Sequence, residues 1–213
     1  MAGKFITLEG GEGAGKSTQA KLLACFLETC GVNAIVTREI GGSRTAEDIR
    51  ALWLEKEEGC WDPITELLLT MAARREHLVK TVWPALEGNS WVVSDRFVDS
   101  ARVYQGIGLG LGIGKVDAVY AQIAGGFFPD LTLLLDIPAE EGLARMTKRS
   151  GPDDRYQRRP KEFHEKLRDG FLDIAKKEPE RFRVIDASRD QEKVAADIRV
   201  AVSRFFGLAG ERP

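Results

Sequence analysis

Five short apolar segments recur along the chain, separated by stretches long enough to form helices. They occupy residues 5–8, 34–37, 91–94, 131–135 and 182–185. Each is rich in β-branched residues and nearly continuous in hydrophobicity, which is typical of parallel strands covered by helices on both faces. The pattern therefore predicts an α/β fold with a central parallel sheet between two helical layers.

Charged or polar residues follow these predicted strands at the point where each one ends. They are Glu9, Arg38 and Glu39, Asp95 and Arg96, Asp136, and Asp186. The carboxyl ends of the strands of an open parallel sheet border the ligand crevice, so these residues are candidates for a binding site. A strand that simply reaches solvent would produce the same pattern.

Helix signals fill the intervals between the strands. Asp62 followed by Pro63 is a helix start, and the apolar positions behind it form a stripe: Ile64, Leu67, Leu68, Met71, Leu78 and Val82. Arg74, Arg75 and His77 lie on this helix, and His77 is interpreted as a structural or surface residue. Two further helices are predicted, one after Pro160 with Phe163, Leu167, Phe171 and Ile174 as its buried face, and one with Val194, Ile198, Val202 and Phe205.

Length and charge limit the classes of protein that the chain can represent. Its 213 residues fit one domain, expected over 1–208 with a frayed tail at 209–213. With 31 Lys and Arg against 33 Asp and Glu, the net charge is −2, so no overall positive field attracts nucleic acid or membranes. Phosphate binding must therefore be local.

Three cysteines, Cys25, Cys30 and Cys60, are too few and too unevenly spaced for a disulfide framework or a zinc site. They are interpreted as reduced thiols. The amino terminus shows no signal peptide, and no apolar run reaches membrane-spanning length, so a cytoplasmic location is expected.

The segment after the first strand carries the strongest chemical signal. It satisfies G-x-x-x-x-G-K-[ST], follows a strand and opens a predicted helix at 18–27. In such a loop, glycines let backbone N–H groups surround phosphates, the lysine reaches the β- and γ-phosphates, and the hydroxyl can bind Mg²⁺. The predicted ATP-binding residues are Gly10, Gly11, Glu12, Gly13, Ala14, Gly15, Lys16, Ser17 and Thr18.

The motifs that identify a GTPase are missing from the sequence. No aspartate has a glycine three residues later, and no N-K-x-D occurs. Instead, Asp95 and Arg96 end the third strand, where they would pair a carboxylate suited to Mg²⁺ with a guanidinium suited to a second phosphate. A purely structural Asp–Arg pair is the alternative.

Taken together, several motifs resemble bacterial thymidylate kinases across nearly the whole chain. They are Glu9 to Thr18, Thr37-Arg38-Glu39 with Gly41-Gly42, Asp95-Arg96-Phe97 with Ser100 and Tyr104-Gln105-Gly106, Phe128 to Thr132, and Asp154-Arg155-Tyr156. The resemblance implies transfer of the ATP γ-phosphoryl group to dTMP by a homodimeric P-loop enzyme with a five-stranded parallel sheet.

The chemistry of this reaction suits the cations in the sequence. A monophosphate is already an anionic nucleophile, so the enzyme needs no general base, but it must hold two repelling phosphates in line. Cations from separate segments supply this need: Lys16, Arg38, Arg74, Arg96, Lys148, Arg149 and Arg155.

The resemblance also implies individual roles. Arg38 and Arg96 would hold the dTMP phosphate, Arg74 the thymine edge, and Glu12 the 3′-hydroxyl. Ser100 belongs to the same substrate motif, Tyr104 would pack under the sugar, and Gln105 would lie near the base. Ser17 and Asp95 would organise Mg²⁺.

The loop at about 148–160 resembles the lid of these kinases, which closes over ATP and excludes water. Because no basic residue precedes Lys16 in the phosphate loop, the resemblance implies a catalytic arginine from the lid. Arg149 and Arg155 are the candidates, and a solvated surface charge is the alternative for either.

Three positions depart from the family pattern. Ile40 stands where proline is usual, and Ala101 where a hydroxyl or amide often meets the base. The aromatic residue that commonly stacks on thymine, four residues before Arg74, is Thr70 here, so Met71 or another side chain takes its place or base selectivity is relaxed. Another monophosphate, a small metabolite, or a non-catalytic regulatory role therefore stay open as alternatives.

Overall fold

The computed structural model describes residues 2–55, 59–147, 156 and 158–208. Its strands are β1 (Phe5–Glu9), β2 (Ala34–Arg38), β3 (Trp91–Asp95), β4 (Leu131–Asp136) and β5 (Phe182–Asp186). Within the described residues they form one five-stranded parallel sheet in the order β2-β3-β1-β4-β5. The five strands predicted from the sequence are confirmed, and each extends one residue further, into the charged residue that follows it.

The helices that cover the sheet are connected to the strands by short loops. Their bounds are α1 (Lys16–Thr29), α2 (Arg44–Glu55), α3 (Pro63–His77), α4 (Trp83–Glu87), α5 (Val98–Ala101), α6 (Ile113–Ala124), α7 (Ala139–Thr147), α8 (Lys161–Lys177) and α9 (Gln191–Phe206). Two π-helical segments, Leu78–Val82 and Arg102–Gly108, continue α3 and α5. In the part of the chain that is described, no helix is long and apolar enough to cross a membrane.

Alternate side chains of the central strands enter cores on opposite faces of the sheet, as the two-residue period of a strand requires. Ile6 and Leu8 pack into one apolar cluster with side chains of α1 and α9. Phe5, the residue before Ile6, points to the other face and packs into a second apolar cluster with side chains of α3 and α6. The sheet is thus buried on both faces, which explains the continuous hydrophobicity of its strands.

Helix α3 begins as predicted, because the Asp62 side chain accepts hydrogen bonds from the backbone N–H groups of Ile64 and Thr65. Its apolar stripe is divided, however. Leu67 and Met71 are buried, whereas Ile64 is 45% exposed and Leu68 is 52% exposed. The predicted stripe is therefore only partly buried, because Ile64 and Leu68 lie at its exposed edge.

Most of the residues predicted to form the buried faces of α8 and α9 are buried. In α8 and α9, Leu167, Phe171, Ile174, Val194, Ile198 and Val202 are buried as expected, while Phe163 and Phe205 are partly buried. The three cysteines carry free thiols, and Cys25 and Cys60 are exposed.

Candidate active site

The loop between β1 and α1 carries the glycine-rich motif at the carboxyl edge of the sheet. Gly13 and Gly15 have φ angles of 69° and 87°, which favour glycine, and α1 begins at Lys16. The Lys16 ammonium group donates to the carbonyl oxygens of Gly10 and Gly11, at 3.1 and 2.7 Å. Burial and the nearby charge of Arg96 lower the pKa of Lys16. The loop thus holds a desolvated cation beside a helix amino terminus, which is an anion-binding arrangement.

A second glycine, Gly142 on α7, packs directly against this loop. A Cβ atom on Gly13 would overlap the carbonyl group of Gly142, and one on Gly142 would overlap the carbonyl oxygen of Glu12. Backbone therefore lies against backbone at this contact, and a side chain at either position would displace the phosphate loop.

Ser17 and Asp95 lie together at the mouth of the loop, where the Ser17 hydroxyl donates to the Asp95 carboxylate. Hydroxyl and carboxylate oxygens are ligands that Mg²⁺ prefers, and Mg²⁺ commonly completes its shell with phosphates and water. The described residues contain no group of three or more acidic, histidine or cysteine side chains that could form a closed metal cage. The pair therefore fits Mg²⁺ that arrives with a nucleotide.

Arg96 follows β3 with a φ of 71°, an uncommon left-handed conformation for a residue other than glycine. Two hydrogen bonds fix this turn: its N–H donates to the Leu8 carbonyl at 2.9 Å, and the Ser94 hydroxyl donates to its carbonyl at 2.8 Å. The guanidinium then reaches back over the phosphate loop and donates to the Gly10 carbonyl at 3.2 Å and the Ser100 hydroxyl at 3.1 Å.

Glu12, Arg96 and Tyr104 form a hydrogen-bonded cluster beside Lys16. The Arg96 guanidinium lies 2.6 Å from a Glu12 carboxylate oxygen, and the Tyr104 hydroxyl donates to the same oxygen at 2.5 Å. Burial opposes ionisation of Glu12, but the charges of Arg96 and Lys16 outweigh it and lower its pKa to about 2. Glu12 therefore remains an anion at neutral pH.

Glu9 supports this cluster from beneath. Its carboxylate accepts hydrogen bonds from the backbone N–H of Phe97 at 2.8 Å and from the Ser100 hydroxyl at 2.6 Å. Burial, together with the negative charge of Asp99, raises the pKa of Glu9 to about 7. The sequence placed Glu9 at a strand end and in the motif from Glu9 to Thr18, but it did not reveal these partners, which lie 88 and 91 residues further along the chain.

Arg74 is buried at the far end of the site, where Glu39 holds it. Its Nε lies 2.6 Å from one carboxylate oxygen of Glu39, and His77 Nδ1 lies 2.8 Å from the other. A second guanidinium nitrogen donates to the Phe97 carbonyl at 3.1 Å. His77 is fully buried, so its structural interpretation agrees with its position and the surface one does not.

Arg38, by contrast, lies at the rim. Its side chain is 57% exposed and forms an ion pair with Glu47 of α2 at 3.0 Å. Glu47 also accepts a hydrogen bond from the backbone N–H of Gly42, which ties the loop after β2 to α2. The peptide bond between Glu39 and Ile40 in that loop is cis.

A cavity of about 540 Å³ joins most of the predicted site residues. Its wall includes Glu12, Gly13, Gly15, Lys16, Ser17, Arg38, Arg74, Asp95, Arg96, Ser100, Tyr104 and Gln105. Gln105 donates to the Glu66 carboxylate at 3.0 Å, and the Tyr156 hydroxyl donates to the same oxygen. Arg149 and Arg155, the candidates from the lid, lie outside the described residues, as does Lys148.

A second cavity of about 400 Å³ lies on the other side of the phosphate loop and shares Gly13 and Gly15 with the first. Thr18 lines it together with Arg145, whose guanidinium donates to the carbonyls of Ala187 and Ser188, both at 2.7 Å. Sequence reasoning missed this cavity, because no motif marks it. The polar end of β5 at Asp186 was the available signal.

The phosphate loop thus separates two cavities at the carboxyl edge of a parallel sheet, and cations from other segments face it across the larger one. A fold and site of this kind define a P-loop phosphotransferase.

Comparison with known proteins identifies the family. The family model described as thymidylate kinase matches residues 8–198. The chain therefore belongs to the thymidylate kinase family.

Individual relatives agree over nearly the whole chain. It is 46% identical to a thymidylate kinase of Caulobacter vibrioides over 206 residues, which cover 97% of this chain and 99% of the relative. It is 47% identical to one of Ruegeria pomeroyi over 196 residues, with 92% of both chains covered. The crystal structure of thymidylate kinase from Ehrlichia chaffeensis superposes with a TM-score of 0.77 at 35% identity, covering 95% of this chain and 99% of that one.

Proposed function

We propose that the protein transfers the γ-phosphoryl group of ATP to the 5′-phosphate of dTMP, giving dTDP and ADP. The observation that carries this proposal is one shared atom. Lys16 and Arg96, from separate segments, both donate to the carbonyl oxygen of Gly10, at 3.1 and 3.2 Å. Cations suited to a donor phosphate and an acceptor phosphate therefore meet at the bottom of one cavity.

The reaction needs positioning and charge neutralisation. An oxygen of the dTMP phosphate attacks the γ-phosphorus, a new P–O bond forms, and the bond to the β-bridging oxygen breaks as ADP leaves. The monophosphate is already ionised, so no protein base is required. Lys16 would stabilise the negative charge that develops between the β- and γ-phosphates, and Arg96 would hold the acceptor phosphate in line for attack.

Mg²⁺ is expected to arrive with ATP and to be held by Ser17 and Asp95, where it would neutralise phosphate charge. The second cavity would hold the donor nucleoside, because it begins where the phosphate loop meets α1. The planar guanidinium of Arg145, fixed by two carbonyls, offers a flat surface for an adenine ring.

The acceptor nucleoside would occupy the larger cavity. Arg38 at its rim would exchange Glu47 for the dTMP phosphate, and Glu12 would accept a hydrogen bond from the 3′-hydroxyl. Tyr104, tied to Glu12, would pack beneath the sugar, with Ser100 and Gln105 alongside. Arg74, immobilised by Glu39, would present its remaining N–H groups to the base edge.

The homodimer is part of the same proposal. Ile64, Leu68 and Val79 recur at helical spacing on α3 and its continuation, and all three are exposed. An apolar face of this kind favours burial against another copy. We expect Leu68→Glu to halve the molar mass measured by light scattering, whereas Leu54→Glu, at an exposed position on α2, would leave it unchanged. An unchanged mass for Leu68→Glu would contradict this placement.

The proposal also includes the domain organisation: one domain over 1–208 and a frayed tail at 209–213. It includes a lid at about 148–160, with Arg149 or Arg155 as its catalytic cation. The cytoplasmic location expected from the sequence belongs to the same proposal.

An acceptor panel tests the proposal. Purified protein is incubated with Mg-ATP and dTMP, dUMP, dCMP or dGMP, and ADP release is measured. We expect turnover that depends on dTMP. Turnover with a different monophosphate alone would change the substrate, and ATP binding without acceptor-dependent turnover would favour the regulatory alternative.

A further inference from the structure

The wall of the larger cavity has an unusual combination of residues. Thr70 on α3 and Trp53 on α2 both line it, at 2% and 5% exposure. Ala101 and Ile40 add apolar surface to the same cavity. The polar groups of a base would meet Arg74 and Gln105, so the apolar residues are left to contact its faces.

Thr70 cannot provide an aromatic face, and its hydroxyl is already used. The Oγ1 atom donates to the Leu67 carbonyl one turn earlier, at 2.8 Å. Met71 does not replace an aromatic ring either. It is 1% exposed in the apolar cluster beneath α3, and its sulfur lies 3.2 Å from a guanidinium nitrogen of Arg74. Among the described residues, α3 therefore contributes the small Thr70 and the charged Arg74 to this wall, and neither offers an aromatic face.

Other aromatic rings in the cavity wall have defined tasks. Phe97 is fully buried, with the Arg74 guanidinium 5.5 Å from its centroid and the Phe5 ring at 4.8 Å. Tyr104 binds Glu12, and Tyr156 stacks on Phe163 with ring centroids 5.8 Å apart. Trp53 reaches the wall from α2, the helix packed alongside α3, with its ring 6.2 Å from that of Tyr156.

We propose that Trp53 is the specificity-determining aromatic residue that packs against the acceptor base, and that Thr70 is small in order to leave room for its indole. The inference rests on the proposed function, because it assigns the wall of the acceptor pocket. It implies that the identities of residues 53 and 70 are linked: a large ring on either helix fills the space, and rings on both would compete for it.

A swap of the two residues tests this linkage. Trp53→Leu should raise the KM for dTMP roughly 3- to 10-fold, the equivalent of a lost aromatic contact, and leave the KM for ATP unchanged. Thr70→Phe alone should also raise it, because two rings then compete for one volume. In the double variant Trp53→Leu/Thr70→Phe, the KM should return to within about threefold of the original value.

Trp61→Leu is the matched control, since Trp61 packs against the same apolar cluster as Trp53 but is not among the residues of the cavity wall. It should lower the melting temperature without changing the KM for dTMP. Equal effects of Trp53→Leu and Trp61→Leu on KM, or additive losses in the double variant, would overturn the inference.

Fluorescence provides a test that is independent of turnover. We expect dTMP to change the indole emission of the original protein, and Trp53→Phe to abolish that change while keeping the KM within about threefold. A change that persists in Trp53→Phe would refute the contact. Failure of the function itself would be recognised separately, because the original protein would then show no dTMP-dependent ADP release.

Discussion

Arg96 and Glu12 form an ion pair 2.6 Å long that places opposite charges side by side within the larger cavity. The pair joins the turn after β3 to the phosphate loop, so it connects the proposed acceptor side of the site to the donor side. Its two members are assigned different parts of one substrate, the phosphate to Arg96 and the sugar hydroxyl to Glu12.

Glu12→Gln should alter the acid stability of the protein. The folded pKa of Glu12 is about 2, below its ordinary value of 4.5, so its contribution is complete above pH 4.5 and is lost as the pH falls toward 2. Below pH 4.5, the free energy of unfolding of the original protein should fall by up to about 1.4 kcal/mol more per pH unit than that of the variant. Urea unfolding at pH 5, 4 and 3 measures this, and parallel curves would contradict it.

Lys16→Ala should reduce kcat by at least about 100-fold while the protein stays folded, because its ammonium group is the cation within the phosphate loop. Lys21→Ala, on the exposed face of the same helix, is the control and should keep full activity. Steady-state kinetics and circular dichroism of both variants test the assignment. A Lys16→Ala enzyme with the original kcat would refute it.

Arg96→Ala should raise the KM for dTMP roughly 10-fold or more, the cost of a lost hydrogen bond to a charged group, with little change in ATP affinity. Arg183→Ala, on the edge strand β5, is the control variant and should keep the original KM for dTMP. Equilibrium binding of ATP, measured beside the KM for dTMP, separates the two sides. If ATP affinity falls while the KM for dTMP holds, Arg96 is assigned to the wrong pocket.

Arg145→Ala should affect the other substrate: unlike Arg96→Ala, it should weaken the binding of ATP and not that of dTMP. It removes the flat surface of the second cavity, so the KM for ATP should rise several-fold and the KM for dTMP should not. The two KM values are measured separately, by varying each substrate at saturating levels of the other. Equal effects on both would show that the second cavity does not hold the donor nucleoside.

Glu9→Gln should flatten the dependence of stability on pH near neutrality. The folded pKa of Glu9, about 7, lies above the ordinary 4.5, so the folded state retains a proton that the unfolded chain releases. Between about pH 4.5 and 7, this group lowers the free energy of unfolding by up to about 1.4 kcal/mol per pH unit as the pH rises. Glu28→Gln, exposed on α1, is the control, and an unaltered slope in Glu9→Gln would count against the assignment.

Local features of the sequence were sufficient to predict the sheet and the phosphate loop. Both depend on residues close together in the chain: apolar runs of strand length for the sheet, and the spacing from Gly10 to Ser17 for the loop. The placement of charged residues at strand ends also correctly anticipated that Asp95 and Arg96 would border the cavity.

Features that depend on tertiary packing were harder to predict. The helical period places the apolar residues Ile64 and Leu67 on the same side of α3, but it does not show which of them faces the core. The sequence therefore did not predict that Ile64 is exposed. The burial of His77 depends on Glu39, which precedes it by 38 residues. Trp53 belongs to none of the recognised motifs. Its position in the cavity wall depends on how α2 packs on α3, which the sequence does not show.

The contact between Gly13 and Gly142 joins two segments that lie far apart in the chain. Helix α7 ends at Thr147, immediately before the predicted lid, so the lid starts from an element braced against the phosphate loop. A shift of α7 would displace the phosphate loop, because no side chain lies between the two backbones to absorb it. A side chain at position 142 would therefore disturb the phosphate loop, although that residue lies outside the glycine-rich motif.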